Sequence, residues 1–191
     1  MEVNKKNKDI QDYQHEPYAI SMLIMKVYLS INNIGKHLKQ NLEKKIKSMT
    51  EGRCIVEGYI KPESVRIVNY SSGKINGEYV EYTCSYECMV CHPVEHMKVE
   101  CTCKTVTKAG IHAEVVDRKG NVPIIIFIAR DHHLTNSVYE SVRENTKILV
   151  TIIGVRFELN DENVSAIGKL VDLSPDKITG GQKPSLQILD D

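Results

Sequence analysis

Residues 72–113 read SGKINGEYVEYTCSYECMVCHPVEHMKVECTCKTVTKAGIHA, and the alternation inside this stretch decides the fold. Val80, Tyr82, Cys84, Tyr86, Cys88 and Val90 alternate with Glu81, Thr83, Ser85, Glu87 and Met89. Period two with one apolar face predicts a half-buried strand. Met97, Val99, Cys101 and Cys103 alternate with Lys98, Glu100, Thr102 and Lys104 and predict a second strand, ending in the turn at Lys108-Ala109-Gly110. Pro93 lies between the two runs and cannot donate to a sheet ladder, so no single strand passes through it. The break predicts a boundary: one module before Pro93, a second after it.

Working outward toward the N-terminus, residues 1–17 are a polar, charged tail expected to be disordered. Residues 18–30, YAISMLIMKVYLS, are apolar on both faces, which predicts a strand that is central in its sheet or pressed against another protein. Ile34, Leu38, Leu42, Ile46 and Met49 then recur at helical spacing and predict an amphipathic helix over residues 33–50, capped by Asn32 or Asn33 and ended by Gly52. Its outer face carries Lys36, Lys39, Lys44, Lys45 and Lys47, most simply a solvated surface. Residues 54–59 read as one short strand, Pro62-Glu63 as a turn, residues 64–70 as a strand, and Ser71-Ser72-Gly73 as the turn into the long alternating run. The first module is thus expected to be an antiparallel sheet carrying one long helix.

Beyond Pro93, strands are expected at residues 97–106, 111–116, 123–129, 147–159 and 164–173, with a bend at Gly154 and turns at 117–121 and 160–163. Residues 130–147 are polar, without a sustained apolar period, and read as a long loop that can include a helical turn. Five short strands with one long connection between the third and fourth suit a Greek-key barrel of the OB type. Residues 174–191 are expected to be a loose tail. The whole is an α+β chain: residues 1–17, 18–93, 94–173 and 174–191 as tail, sheet module, barrel and tail.

Composition narrows function. Lys+Arg and Asp+Glu are 25 each, so the chain lacks the strong positive charge of a free nucleic-acid binder. Within residues 94–173 there are 10 Lys+Arg against 11 Asp+Glu, so a cationic patch there must be local. No apolar run reaches the roughly 18 residues of a membrane helix, and the N-terminus has no apolar signal core. An intracellular protein with reduced thiols is expected. Cys88 and Cys91 have C-x-x-C spacing, yet residues three apart on a strand point to opposite faces. Cys54, Cys84, Cys88, Cys91, Cys101 and Cys103 are therefore read as buried small hydrophobes rather than zinc ligands. Asp131-His132-His133 is the most tempting catalytic or metal cluster, but no third ligand stands at motif spacing. No phosphate loop, dinucleotide fingerprint or nucleophile elbow is present. No catalytic residue, metal or cofactor is expected.

Taken in order, the apolar strand at 18–30, the helix, and the run SVRIVNYSSGKINGEYVEYTCSYECMVCHPVEHMKVECTCKTVTKAGIHAEV resemble the stalk subunit of multisubunit DNA-directed RNA polymerases, which is the seventh subunit of eukaryotic polymerase II and has a direct archaeal counterpart. The resemblance covers roughly residues 18–173. It implies a tip module that plugs onto the polymerase core, followed by an OB barrel facing emerging RNA. The implied partners are the large polymerase subunits and nascent RNA, with a second stalk subunit left open and no membrane. Docking on the core is expected through Met22, Ile24 and Lys26 of the first strand and Ser72, Gly73 and Lys74 of the adjoining turn. RNA contact is expected through Lys104, Lys108, His112, Phe127, Arg130, His132, His133 and Arg156. The chain departs from the pattern in its leading tail and in having Glu100-Cys101-Thr102 where a glycine is common. These departures and the lysine- and asparagine-rich composition suggest a viral member acting in host cytoplasm, with packaging in the virion an option. The competing readings are a free-standing OB-fold RNA-binding protein and a structural virion protein.

Overall fold

The computed structural model describes residues 16–133 and 137–171. The expected tails fall almost wholly outside the described residues.

Strand β6 (Tyr79–Cys91) is the spine of the N-terminal sheet. One of its edges pairs antiparallel with β1 (Ala19–Ser30) over twelve unbroken positions. Its other edge is long enough to take three partners in succession: β5 (Lys74–Asn76), β4 (Arg66–Tyr70) and β3 (Gly58–Ile60). Strand β2 (Cys54–Ile55) pairs with β3. Val80, Tyr82, Cys84, Tyr86, Cys88 and Val90 all face the interior, as their alternation requires. Helix α1 (Leu38–Thr50) covers that inner face with Leu42 and Ile46, which pack among Val27, Leu29, Val65 and Ile67. Burying each of these two side chains contributes about 1.5–3 kcal/mol.

Four expectations for this sheet change. Strand β1 is an edge strand, not a central one, and its even-numbered side chains from Ile20 to Tyr28 are exposed. The helix begins at Leu38 rather than residue 33, with His37 at its N-cap. Asn33 is spent elsewhere: its side chain donates to Ser30 Oγ and its carbonyl accepts from Asn41 Nδ2, after a 3-10 turn over Ile31–Asn33. Gly35 just downstream disfavours helix by about 1 kcal/mol relative to alanine. Lys36 therefore precedes the helix instead of lying on it. Residues 54–59 form parts of two strands joined by a tight turn, and residues 74–79 form a hairpin with β6. The Asn76-Gly77 dipeptide signals that hairpin.

The C-terminal half is a closed five-stranded barrel in the order β7 (Lys98–Val106), β8 (Gly110–Val115), β9 (Ile124–Ala129), β11 (Val164–Leu170), β10 (Lys147–Arg156), returning to β7. Strands β9 and β11 are parallel and every other pair is antiparallel, the arrangement of an OB barrel. Register shifts at Cys103/Thr105 and at Ile152/Gly154 mark where the strands curl to close it, the second at the glycine expected to bend the chain. Among its described residues the β9–β10 connection holds a 3-10 turn (Arg130–His133) and a short helix, α2 (Ser137–Ser141).

Packing does not follow the chain at Pro93. Tyr18, Cys54, Tyr59 and Cys91 of the sheet half belong to the same buried cluster as barrel residues Ile111, Ile124 and Val164. Cys88 and Cys91, three apart, enter different clusters. All six cysteines are buried free thiols. Burial pushes Cys88 up to about 11 and Cys91 and Cys101 up to about 12, so they remain neutral thiols near pH 7. Cys101→Ser should destabilise the chain by about 1–3 kcal/mol, read by denaturant unfolding, because a hydroxyl replaces a thiol among apolar neighbours. An unchanged midpoint would remove this role.

Candidate docking and nucleic-acid surfaces

Because β1 pairs only with β6 among the described residues, its second edge is open. Met22 and Ile24 are 60% and 73% exposed, and Ile20 extends their row. Opposite them on β6 stand Met89, Glu87 and Ser85, so the outer face is apolar along β1 and, beyond Met89, polar along its neighbour. Farther along, Lys26 pairs with Glu81 at 2.9 Å. The hydrogen bonds from Lys26 and Tyr28 hold the Glu81 carboxyl below its ordinary range. Lys74 stands directly across from Glu81 in β5. Ser72 and Gly73 lie in the exposed connection just before β5. Gly73 has no room for a side chain: a Cβ there would sit 2.6 Å from Val80 and 2.9 Å from the Tyr82 ring. The structure thus places Met22, Ile24 and Lys26 on one outer face, with Ser72 and Lys74 at its rim, while Gly73 abuts the inner-facing Val80 and Tyr82. Ile20 shares the side of Met22 and Ile24 that the sequence marked as apolar; sequence reasoning missed Tyr28 on the same row, and Ile75 and Tyr79 on the hairpin, all exposed apolar side chains. Their signal was available in the period of the strand.

On the barrel, His112 and Phe127 are register partners on adjacent strands, with ring centroids 4.9 Å apart. Ile167 of β11 stands beside Phe127 on the same outer face and is half-exposed. Lys108 lies in the β7–β8 turn, and the Arg130 N–H donates to Ala109 O at 3.1 Å, bringing Arg130 next to that turn. These four expected RNA contacts come together. Two of the others are held in ion pairs. Lys104 pairs with Glu114 at 3.2 Å, and Arg156 with Glu158 at 3.0 Å. His132 is exposed on the 3-10 turn.

His133 turns the other way. It is 4% exposed and stacked on Tyr139. Its Nε2 accepts from the Leu170 N–H at 3.0 Å, so its Nδ1 is the protonated nitrogen and donates to Ala129 O at 3.0 Å. Both nitrogens are used inside the barrel wall, so the ring has nothing left to offer RNA. Adjacent histidines diverge, and among the described residues no three His, Cys, Asp or Glu side chains converge as a metal site.

The sheet and barrel are joined by an unanticipated latch. Asp117 is buried and accepts hydrogen bonds from the Tyr18 hydroxyl at 3.0 Å, the Lys119 and Asn121 N–H groups and the Asn121 side chain. Lys61 lies over the Tyr18 ring and pairs with Glu16, and Lys119 pairs with Glu63 at 2.6 Å. Burial raises the Asp117 carboxyl, but the hydrogen bonds from Asn121, Tyr18 and Lys119 outweigh it and hold the group below its ordinary value near 3.8. A depressed carboxyl stabilises the fold above its unfolded pKa and loses that contribution as pH falls through its folded pKa. Asp117→Asn should therefore lower thermal stability at pH 7 and flatten its decline below about pH 4. Equal acid sensitivity in both proteins would show that Asp117 carries none of it.

The geometry defines a fold class: an OB-like barrel fixed to an α+β sheet that exposes an apolar row on its edge strand. No family model matches the chain. Over 160 residues it is 28% identical to a provisionally named DNA-directed RNA polymerase subunit of Acanthamoeba polyphaga mimivirus, covering 75% of each chain. Three quarters of the chain exceeds either half, so the similarity spans both sheet and barrel. At the level of a divergent, virus-type RNA polymerase subunit, this relative supports the resemblance read from the sequence.

Proposed function

We propose that this chain is a non-catalytic stalk subunit of a viral DNA-directed RNA polymerase, working inside the host cell. The similarity to the mimivirus subunit across both halves carries the reading. In this reading residues 18–93 dock on the large subunits through the outer face of β1 and the β5–β6 hairpin, and residues 94–173 present the barrel to the transcript. The exposed apolar row of β1 favours the docking role, since a long unpaired apolar edge invites aggregation unless a partner covers it. The His112–Phe127 pair favours the RNA role, since bases stack on such rings regardless of sequence. Phosphate contacts from Lys108 and Arg130 would add a salt-sensitive, sequence-independent term.

Affinity purification of the tagged full chain from cells expressing the viral transcription machinery tests the assignment. Large polymerase subunits should co-purify in amounts comparable to the bait. A lone chain that still binds RNA would instead establish a free-standing OB-fold protein. A chain with neither property would leave the structural virion role.

A further inference from the structure

The two ends of the barrel are not equivalent. Strand directions place the β8–β9 and β10–β11 turns at one end, and the β7–β8 turn and the β9–β10 connection at the other. Both turns at the first end are held against the N-terminal sheet. Asp117 of the β8–β9 turn is latched by Tyr18. The β10–β11 turn is stitched to β2 through its backbone: the Cys54 N–H donates to Asp161 O at 2.7 Å, and the Asn160 N–H donates to Cys54 O at 2.8 Å.

An OB barrel ordinarily grips a single strand on its second and third strands, between the loops after its first and fourth. Here the loop after the fourth strand, β10–β11, is already part of the junction. The loop after the first, carrying Lys108, is at the opposite end, which among the described residues is free of the sheet. Lys169 lies toward that end as well, two residues beyond Ile167 on the same exposed face of β11. Among the described residues, Lys108, Arg130 and Lys169 have no carboxylate within salt-bridge distance, whereas Lys104 and Arg156 do. We infer that single-stranded nucleic acid is engaged over a short path at the free end alone, on the His112–Phe127 pair ringed by Lys108, Arg130 and Lys169. Lys169 is a binding residue that the sequence did not single out, and Arg156, beside the stitched turn, takes no part. This rests on the reading of the barrel as an RNA-contacting module.

The test is fluorescence anisotropy with the full chain and labelled oligouridylates of about four, eight and sixteen nucleotides, which spans the usual site sizes of OB barrels. At roughly 0.1 M salt, where charges beyond about 10 Å are screened, local contacts dominate. Affinity should level off by about eight nucleotides. Lys169→Glu and Phe127→Ala should each weaken binding about tenfold, while Arg156→Glu and the turn variant Glu162→Lys change it less than about twofold. Circular dichroism melts confirm that each variant is folded. Affinity still rising at about sixteen nucleotides, tighter binding by Glu162→Lys, or equal losses from Arg156→Glu and Lys169→Glu would overturn the short path while leaving the RNA reading intact. Failure to bind any of the oligonucleotides would overturn both.

Discussion

Aspartate at Met22 and Ile24 together is expected to abolish co-purification of the large polymerase subunits while leaving the chain folded. The two side chains are 60% and 73% exposed, so neither contributes much to the folded core. Aspartate disfavours strand by up to about 1 kcal/mol per site, a modest loss for a strand paired along its whole length. A docked interface would lose about 1.5–3 kcal/mol of apolar burial at each position and would have to desolvate two charges at several kcal/mol each. Together these exceed about 5 kcal/mol, or more than a thousandfold in affinity. Val27→Asp, on the opposite face and 1% exposed, should instead unfold the sheet. A pull-down paired with a melting curve separates the two outcomes. If Met22→Asp/Ile24→Asp still assembles while Lys108→Glu/Arg130→Glu does not, the barrel rather than the sheet is the docking surface.

The second large effect is at Gly168, on the inner face of β11. A Cβ there would lie 2.2 Å from Val150 Cγ1 and 3.0 Å from Ile126 Cγ2. Both neighbours are fully buried, so neither can swing into solvent. Forcing a methyl group into such packing costs about 3 kcal/mol. Gly168→Ala should lower Tm by roughly 10 °C for a chain of this size. Adding Val150→Ala should restore part of the loss, because it removes the methyl that the new Cβ meets. An unchanged Tm in Gly168→Ala would show that the barrel wall yields where the structure shows it closed.

Much of this was legible without a structure. The alternation from Val80 to Val90 determined a strand with a buried cysteine-tyrosine face, and residue spacing alone sent Cys88 and Cys91 to opposite faces. Five apolar runs beyond Pro93, with the long connection after the third, determined an OB-like barrel. The apolar residues on both faces of β1 determined that something beyond the sheet and its helix had to be accounted for. These are local facts, set by the two-residue period of a strand and the 3.6-residue period of a helix.

What tertiary structure alone decided was which surfaces remain free. The period of β1 is the same whether or not a second layer covers its outer face; among the described residues the helix and core lie on the face of Val27 and Leu29, which leaves Ile20, Met22 and Ile24 uncovered. His132 and His133 are neighbours in sequence, yet the 3-10 turn sends one outward and buries the other on the Leu170 N–H. Lys169 and Arg156 are both exposed cations on barrel strands. Their distinction comes from partners distant in sequence: Cys54 closes the end where Arg156 lies, while Lys169 lies two residues beyond Ile167, the register partner of Phe127. Such pairings depend on long-range closure of the chain, which a local pattern of side chains cannot encode.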